Sequence, residues 1–209
     1  MSIDDRRLQD HLDREALFDL VRRERFARDQ RRFEVMASCF HRDAHIRTSW
    51  YDGIGGQAYV DATRQWMGRT GNSKHWVFPA FAQIRGHRAT VESPAMIFNR
   101  AKIEGVEVDF HVFCRFYSRA VREEGEWTLA SFHVFFERDI MRPVHAGDPL
   151  PIDRALLETM RPSYKFLTYM QHTRGIAVNQ ELLGDDRLEE LAAFHALEDR
   201  WLAGEDLPA

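Results

Sequence analysis

Apolar residues recur at helical spacing in the N-terminal part of the chain and predict two helices. Over residues 13–28, one stripe is formed by Leu17, Leu20, Val21 and Phe26. The charged run RRERFARDQRR (22–32) is interspersed with apolar residues at helical spacing, and we interpret it as a solvated helix face. A second short helix is predicted over residues 33–40, with Asp29 at the break between the two.

The period then changes and predicts a sheet. The segment DAHIRTSWYDG (43–53) alternates like a strand and ends at the turn signal Asp52-Gly53, and a third helix is predicted over residues 57–68. Four long strands follow, predicted at 74–85, 88–99, 107–119 and 126–138. Short glycine-containing turns join them, so we expect an antiparallel sheet preceded by helices, which is the α+β class.

Prolines and a Gly-Asp pair mark the end of this unit near residues 143–151. Two helical segments follow, 153–172, which is interrupted at Pro162, and 186–203. Each has an apolar face that requires a partner. We therefore expect a domain over residues 1–142 and a C-terminal helical extension over 143–209, docked on that domain or on a neighbouring subunit.

Composition and charge argue against several classes of protein. The chain is 44% hydrophobic with a formal net charge of −4, which does not fit a nucleic-acid-binding face. Its N-terminus has no apolar signal region, and no apolar run is long enough to span a membrane. Cys39 and Cys114 lie far apart and show neither disulfide nor metal-site spacing. We expect a reduced, cytoplasmic protein.

The order of predicted elements resembles the nuclear transport factor 2-like fold, in which a curved antiparallel sheet wraps a long helix as a cone around an apolar pocket. Three segments resemble its SnoaL-like and scytalone-dehydratase-like branch: FARDQRRFEVMASCFHRDAHI, SKHWVFPAF and EEGEWTLASF. The resemblance covers about residues 12–140. It implies that Asp29 and His75 form a catalytic dyad, as the corresponding residues do in that branch.

The chemistry of the two residue types supports such a dyad. A histidine with a near-neutral pKa is a natural base for proton abstraction. A buried carboxylate fixes its tautomer and stabilises the imidazolium that forms. The chain has no GxSxG motif, so acid–base elimination fits better than covalent catalysis. Because side chains alternate along a strand, Trp76 should point away from the face that His75 uses.

Seven further residues are candidates for substrate contacts: Arg47, Trp50, Tyr51, Asn99, Arg100, His111 and His133. Asn99 or Arg100 stands where scytalone dehydratase carries a second histidine. His111 and His133 lie in apolar runs and either face the pocket or belong to the core or the outer face. Trp50 either shapes the pocket or packs in the core. A zinc site of three histidines lacks any short ligand pair, so neither a metal nor a cofactor is expected.

The resemblance implies a cofactor-independent lyase that acts on a small aromatic molecule. Dehydration is one reaction of this kind, and carbon–carbon cleavage, such as deformylation of a lignin-derived diarylpropane diol, is another. One alternative is a polyketide cyclase or ketosteroid-type isomerase, in which an isomerase would use Asp29 to move the proton. A second is a non-catalytic β subunit of a ring-hydroxylating dioxygenase, whose pocket its own side chains would fill. We expect a homodimer or homotrimer.

Overall fold

A computed structural model describes residues 3–70 and 73–208 of the 209-residue chain. The first half contains α1 (Ile3–Asp29), α2 (Phe33–Ala37), β1 (Phe40–Arg47), β2 (Asp52–Ile54), α3 (Gly56–Thr70), β3 (Lys74–Val77), β4 (Phe81–Arg85) and β5 (Arg88–Ile103). The second half contains β6 (Val106–Glu123), β7 (Glu126–Pro143), α4 (Arg154–Glu158), a 3-10 turn (Pro162–Tyr164), α5 (Lys165–His172) and α6 (Leu188–Leu202). The α+β class is confirmed.

The seven strands form one sheet in the order β2-β1-β7-β6-β5-β3, with β4 also paired to β5. Neighbouring strands are antiparallel except for β1 and β7, which run parallel. The sequence pattern did not include this parallel pair, because β1 and β7 lie far apart in the chain. The longest strands, β6 and β7, are joined at Glu124-Gly125, where both residues have positive φ, as a tight hairpin turn requires.

The expectation of a single strand over residues 74–85 is wrong. The chain forms β3 and β4 instead, with a break at 78–80 that contains Pro79. Both pieces pair with β5, β4 with its first half and β3 with its second. Pro94 of β5 lies between the segment that pairs with β4 and the segment that pairs with β3, so its missing N–H removes no hydrogen bond from either ladder. Its carbonyl accepts from the backbone N–H of Phe78 at 2.9 Å.

Helix α1 packs on one face of the sheet, which we call the inner face. Arg25 of α1 lies over the rings of Phe116 and Phe132, which define this face on β6 and β7. The predicted apolar stripe is buried at Leu17, Leu20 and Val21. At Phe26 that prediction is wrong, since this residue is 61% exposed.

The C-terminal extension packs along β7 and across the opposite face of the sheet, the outer face. Gly184 forms a bridge with Phe136 beyond the end of β1. A Cβ on Gly184 would lie 2.7 Å from Ser163 Oγ and 2.8 Å from the Phe136 carbonyl, so only glycine fits this approach. On the outer face, Phe194 of α6 packs edge-on against Tyr117 of β6. None of the helices described in the structure is long and apolar enough to cross a membrane.

Candidate active site

The end of α1 and strand β3 bring Asp29 and His75 into contact. Asp29 Oδ1 lies 2.8 Å from Nδ1 of His75, and the backbone N–H of His75 donates to Oδ2 of the same carboxylate at 2.6 Å. The imidazole is 4% exposed and the carboxylate 11%. With Nδ1 protonated and held by Asp29, the second ring nitrogen, Nε2, carries the lone pair on the opposite side of the ring. This is the arrangement of an oriented general base.

Two cations fix the end of α1 in this position. Arg28 donates to Asp29 Oδ1 at 2.9 Å and to the carbonyl of Ser73 at 3.0 Å, so it links the helix to the residue before β3. Lys74 Nζ donates at 2.6 Å to the carbonyl of Asp29, the last residue of the helix. The carboxylate is therefore oriented before any substrate binds.

The electrostatics of the pair set its protonation state. Burial, followed by the charge of Arg28, lowers the pKa of His75 to about 3, although Asp29 opposes this shift. Burial alone would raise the pKa of Asp29, but the hydrogen bond with His75 and the charge of Arg28 outweigh it and hold that pKa below its ordinary value. At neutral pH the site therefore contains a neutral imidazole and an ionised carboxylate, the states that a general-base pair requires.

His75 lies between two spaces. An open groove of about 490 Å³ runs along α1 and is lined by Asp19, Arg22, Arg23, Arg25, Phe26, Asp29, His75 and Val77. An inner cavity of about 40 Å³ lies under the sheet and is lined by Arg25, Arg28, Thr48, Ser49, Trp50, Tyr59, His75, Ile97, Phe116, Phe132, Val134 and Phe136. His75 lines both spaces, so its imidazole forms part of the boundary between them.

The inner cavity contains a buried cation that the sequence reasoning missed. Arg25 pairs with Glu24, donates to the Tyr59 hydroxyl at 3.2 Å and lies 4.6 Å from the ring centroid of Phe132. The interpretation of the charged run as solvated is therefore wrong at Glu24, Arg25 and Arg28, which pair with one another or with Asp29 inside the fold. A signal was present, because Arg25 precedes Asp29 by one helical turn and shares its face.

Aromatic residues between β1 and β2 close one side of the inner cavity. Trp50 lines the cavity and stacks on Trp66 of α3 with a centroid separation of 4.7 Å. Tyr51 packs against Tyr59 at 5.2 Å. Trp50 thus both lines the cavity and packs against its neighbours, so the two alternatives that the sequence left open for this residue, pocket wall and core packing, apply together.

Strand β5 places Asn99 and Arg100 on opposite faces. Ile97 pairs with His75 across the β3–β5 ladder and lines the inner cavity, and Asn99 lies two residues further along the same face. Arg100 points to the other face and makes a bidentate ion pair with Asp109, at 2.8 and 2.9 Å. Trp76 also lies on that face, where it packs against Phe98, as its alternation with His75 predicted.

The remaining candidates lie on the outer face. By strand alternation, His111 shares the face of Arg115, away from His75. His133 and Arg47 line a separate cavity beneath the C-terminal extension. The structure therefore brings together Asp29, His75 and Trp50, with Tyr51 beside Trp50 and Asn99 on the same face, and places the four remaining candidates on the outer face. No group of three potential metal ligands lies together within residues 3–70 and 73–208.

Comparisons with known proteins agree with this fold. Pea pathogenicity protein 2 of the fungus Fusarium vanettenii is 29% identical over 189 residues, which cover 86% of this chain and 81% of that protein. In structure, the chain is similar to a protein from Novosphingobium aromaticivorans provisionally named a scytalone dehydratase, with a TM-score of 0.55, 15% identity and coverage of 69% of this chain and 97% of that one. It is also similar to a hexachlorocyclohexane dehydrochlorinase from Novosphingobium barchaimii, with a TM-score of 0.56, 15% identity and coverage of 69% and 99%.

The family assignment rests on the sequence itself. Residues 9–133, more than half of the chain, match the model of the SnoaL-like domain. The segments that suggested the resemblance, around Asp29, His75 and Trp127, lie within that match. The resemblance is thus confirmed, and the chain belongs to the SnoaL-like domain family.

Proposed function

We propose that this protein is a cofactor-independent lyase in which His75 moves a proton and Asp29 orients it. The observation that carries the proposal is the 2.8 Å contact between Nδ1 of His75 and Oδ1 of Asp29, at the wall of the inner cavity. The names of the two structural neighbours, a dehydratase and a dehydrochlorinase, both describe eliminations. These neighbours share the fold, and the dyad geometry supports extending that class of reaction to this chain.

In the proposed mechanism, Nε2 of neutral His75 takes a proton from a carbon or oxygen atom of the substrate. The imidazolium that forms is stabilised by the Asp29 carboxylate. The guanidinium of Arg25 and the hydroxyl of Tyr59 lie in the same cavity and stabilise negative charge that develops on the substrate. In a dehydration the leaving hydroxyl then takes the proton from His75 and departs as water, which restores the neutral base.

The walls of the inner cavity favour a small aromatic substrate. Trp50, Phe116 and Phe132 offer ring surfaces around a cavity whose 40 Å³ leaves room for no more than a few water molecules. Substrate entry therefore requires a wall to move. The segment from Thr48 to Tyr51 lies outside any helix or strand, so we propose that it gives way. A one-ring substrate requires the smallest displacement, and a two-ring diarylpropane diol requires a larger one.

The geometry also bears on the alternatives. An isomerase would need Asp29 to take the proton, but its carboxylate is already bound to His75 and Arg28 and its pKa is lowered. A non-catalytic β subunit agrees with the small size of the inner cavity. That function gives no role to the contact between Asp29 and His75.

Turnover of a substrate panel by His75→Ala tests the proposal. The panel contains one- and two-ring phenols with a hydroxyl, halide or hydroxymethyl leaving group, and NMR follows loss of water, halide or formaldehyde. We expect wild type to convert at least one compound and His75→Ala to lose about 10²–10⁴-fold in kcat/KM, the usual contribution of a general base.

His111→Ala is the matched control, because this histidine lies on the outer face and should keep full activity. Equal turnover by wild type and His75→Ala would reject His75 as the base. A folded wild-type protein that converts none of the panel would favour the scaffold function instead.

A further inference from the structure

The open groove along α1 is the larger of the two spaces that His75 lines. Its volume of about 490 Å³ lies within the range of about 300–1,000 Å³ typical of small-molecule sites, whereas the inner cavity has about 40 Å³. The inner cavity therefore accommodates only the reacting end of a substrate. The rest of the molecule requires an open space next to His75, and the groove is such a space.

One stripe of α1 forms a wall of this groove. Arg22, Phe26 and Asp29 all line it, and their spacing of four and three residues places them on one face of the helix. Arg22 and Asp29 are seven residues apart, which is about 10 Å along the helix axis. Because Asp29 holds His75, the groove runs from the proposed base to Arg22, with Phe26 between them.

Phe26 supplies an aromatic surface in the middle of the groove. Its side chain is 61% exposed, although it stands one helical turn from the buried Asp29. Val77, which follows His75 by two residues on β3, lines the same groove. A ring that lies on Phe26 would remove apolar surface of both partners from water, and aromatic pairs gain further from their ring geometry.

Arg22 supplies a cation at the other end of the groove. Its Nε donates to the carbonyl of Phe18 at 3.0 Å, which fixes one side of the guanidinium. Its Nη1 and Nη2 make no hydrogen bond or ion pair with any residue in the ranges 3–70 and 73–208. A guanidinium held in this way presents a planar fork of donors, which suits a carboxylate.

The acidic side chains close to the groove do not neutralise Arg22, because each of them faces another cation. The pairs are Asp19 with Arg23, Glu24 with Arg25, and Asp29 with Arg28. Arg22 is the groove arginine that these pairs leave without a counter-ion within the described part of the chain. The charge of a ligand in the groove is therefore expected to be negative at this end.

We propose that the substrate of the reaction assigned to His75 is an aromatic carboxylic acid, with its carboxylate at Arg22, its ring on Phe26 and its reacting carbon at His75. This inference rests on the proposed function and adds the substrate class to it. The distance of about 10 Å along α1 fits one ring with a short linker between the carboxylate and the reacting carbon.

Calorimetric titration of the full-length protein tests this site. The probes are 4-ethylbenzoate, 4-ethylphenylacetate and 3-(4-ethylphenyl)propanoate, which differ in linker length, together with the amide of each acid. None of them has a leaving group, so binding is measured without turnover. We expect saturable binding of at least one acid and about 10-fold weaker binding of its amide, because the amide cannot form a charge-assisted pair with Arg22.

Three variants at exposed positions of α1 locate the binding. Arg22→Gln should weaken binding of the acid about 10-fold and leave binding of the amide nearly unchanged. Phe26→Ser should weaken binding of both, since both lose the ring surface. Arg7→Gln is the matched control, because it removes the same charge from the exposed first part of the helix and should keep wild-type affinities.

Two outcomes would overturn the proposal. One is the absence of saturable binding of all three acids up to about 10 mM, which is weaker than ordinary specific affinities. The other is an Arg22→Gln variant whose affinity for the acid falls no more than that of Arg7→Gln.

The substrate class and the lyase reaction fail separately in these experiments. Because the probes carry no leaving group, an inactive protein can still show binding that depends on Arg22. Conversely, His75-dependent turnover of uncharged compounds, with no acid bound, would reject the carboxylic acid as the substrate and retain the lyase.

Discussion

At the scale of single residues, the Asp29 carboxylate holds both the ring and the backbone of His75. Its Oδ2 accepts the backbone N–H at 2.6 Å while Oδ1 faces Nδ1 at 2.8 Å. One side chain therefore fixes the position of β3 and the tautomer of the proposed base. The two functions are separable by mutation, because an amide oxygen can still accept the backbone bond.

Asp29→Asn should preserve the fold and remove most of the activity. The amide N–H₂ can be turned toward Nδ1, which favours the tautomer with a proton on Nε2, and such a ring is no base. We expect kcat to fall about 10²–10⁴-fold with little change in KM. Steady-state kinetics measures the loss, and ¹⁵N NMR of the imidazole reports the tautomer. An Asn variant with wild-type kcat would show that tautomer control by Asp29 is not needed.

The buried pair of Glu24 and Arg25 should be costly to break from one side. Arg25→Met leaves the Glu24 carboxylate, 1% exposed, without its partner, and we expect a loss of about 3–5 kcal/mol in the free energy of unfolding. Adding Glu24→Gln removes the unpaired charge and should restore part of the loss. Urea unfolding measures both variants.

The exposed pair of Arg23 and Asp19, at 3.8 Å, provides the control for that comparison. Arg23→Met removes the same chemical group from the exposed side of the same helix, two residues earlier, and should cost no more than about 1 kcal/mol in the free energy of unfolding. If Arg25→Met were no more costly than Arg23→Met, the buried pair would not stabilise the inner cavity.

At the scale of elements, the sequence predicted most helices and strands but not how they meet. The period of α1 predicted the burial of Leu17, and alternation predicted the outward direction of Trp76. The inward direction of Arg25 escaped prediction because the helical pattern assigns apolar residues to the buried side and charged residues to the exposed side. In α1 the reverse holds at this point, since Arg25 is buried and Phe26 faces outward. Such inversions are expected where function outweighs local pattern.

The faces of the strand histidines escaped prediction for another reason. Alternation fixes only relative direction, and β7 has register shifts against β6. The sequence therefore left open whether His111 and His133 point inward, and pairing across the whole sheet decides it. The Asp29–His75 contact was predicted through the family resemblance, since no local spacing links a helix end to a strand 46 residues later.

The Asp139 carboxylate of β7 holds the start of α5, and its ionisation at high pH should weaken the docking of α5 on β7. Asp139 Oδ2 accepts the backbone N–H of Leu167 at 2.7 Å, while Oδ1 has no hydrogen-bond partner within the described residues. Burial raises the pKa of Asp139 to about 7. The folded state therefore retains a proton that the unfolded chain releases near pH 4, and stability falls as the pH rises through this window.

Asp139→Asn should remove this loss of stability at high pH. The amide oxygen keeps the bond to Leu167, and no charge forms, so we expect the variant to be about 1–3 kcal/mol more stable than wild type at pH 8 and nearly equal to it at pH 4. Thermal unfolding at the two pH values measures the difference. A variant that is less stable than wild type at pH 8 would contradict the assignment.

At the scale of the whole molecule, the sheet buries a neutral imidazole on each of its faces. His75 faces the inner cavity and His133 the outer one, and burial is the main cause that lowers the pKa of each to about 3. The unfolded chain protonates both near pH 6.5. Between about pH 6.5 and 3 the unfolded state therefore binds more protons, and the folded state loses stability as the pH falls.

Each of the two histidines should consequently lower the stability of the folded state by roughly 1–2 kcal/mol between pH 7 and pH 5, while Asp139 contributes in the opposite direction. His133→Phe cannot be protonated, so on going from pH 7 to pH 5 it should lose roughly 1–2 kcal/mol less stability than wild type does. Urea midpoints at pH 5, 6 and 7 measure the slopes. Since both proteins keep the same carboxylates, their difference isolates one imidazole, and equal slopes would mean that His133 is not held neutral beneath the extension.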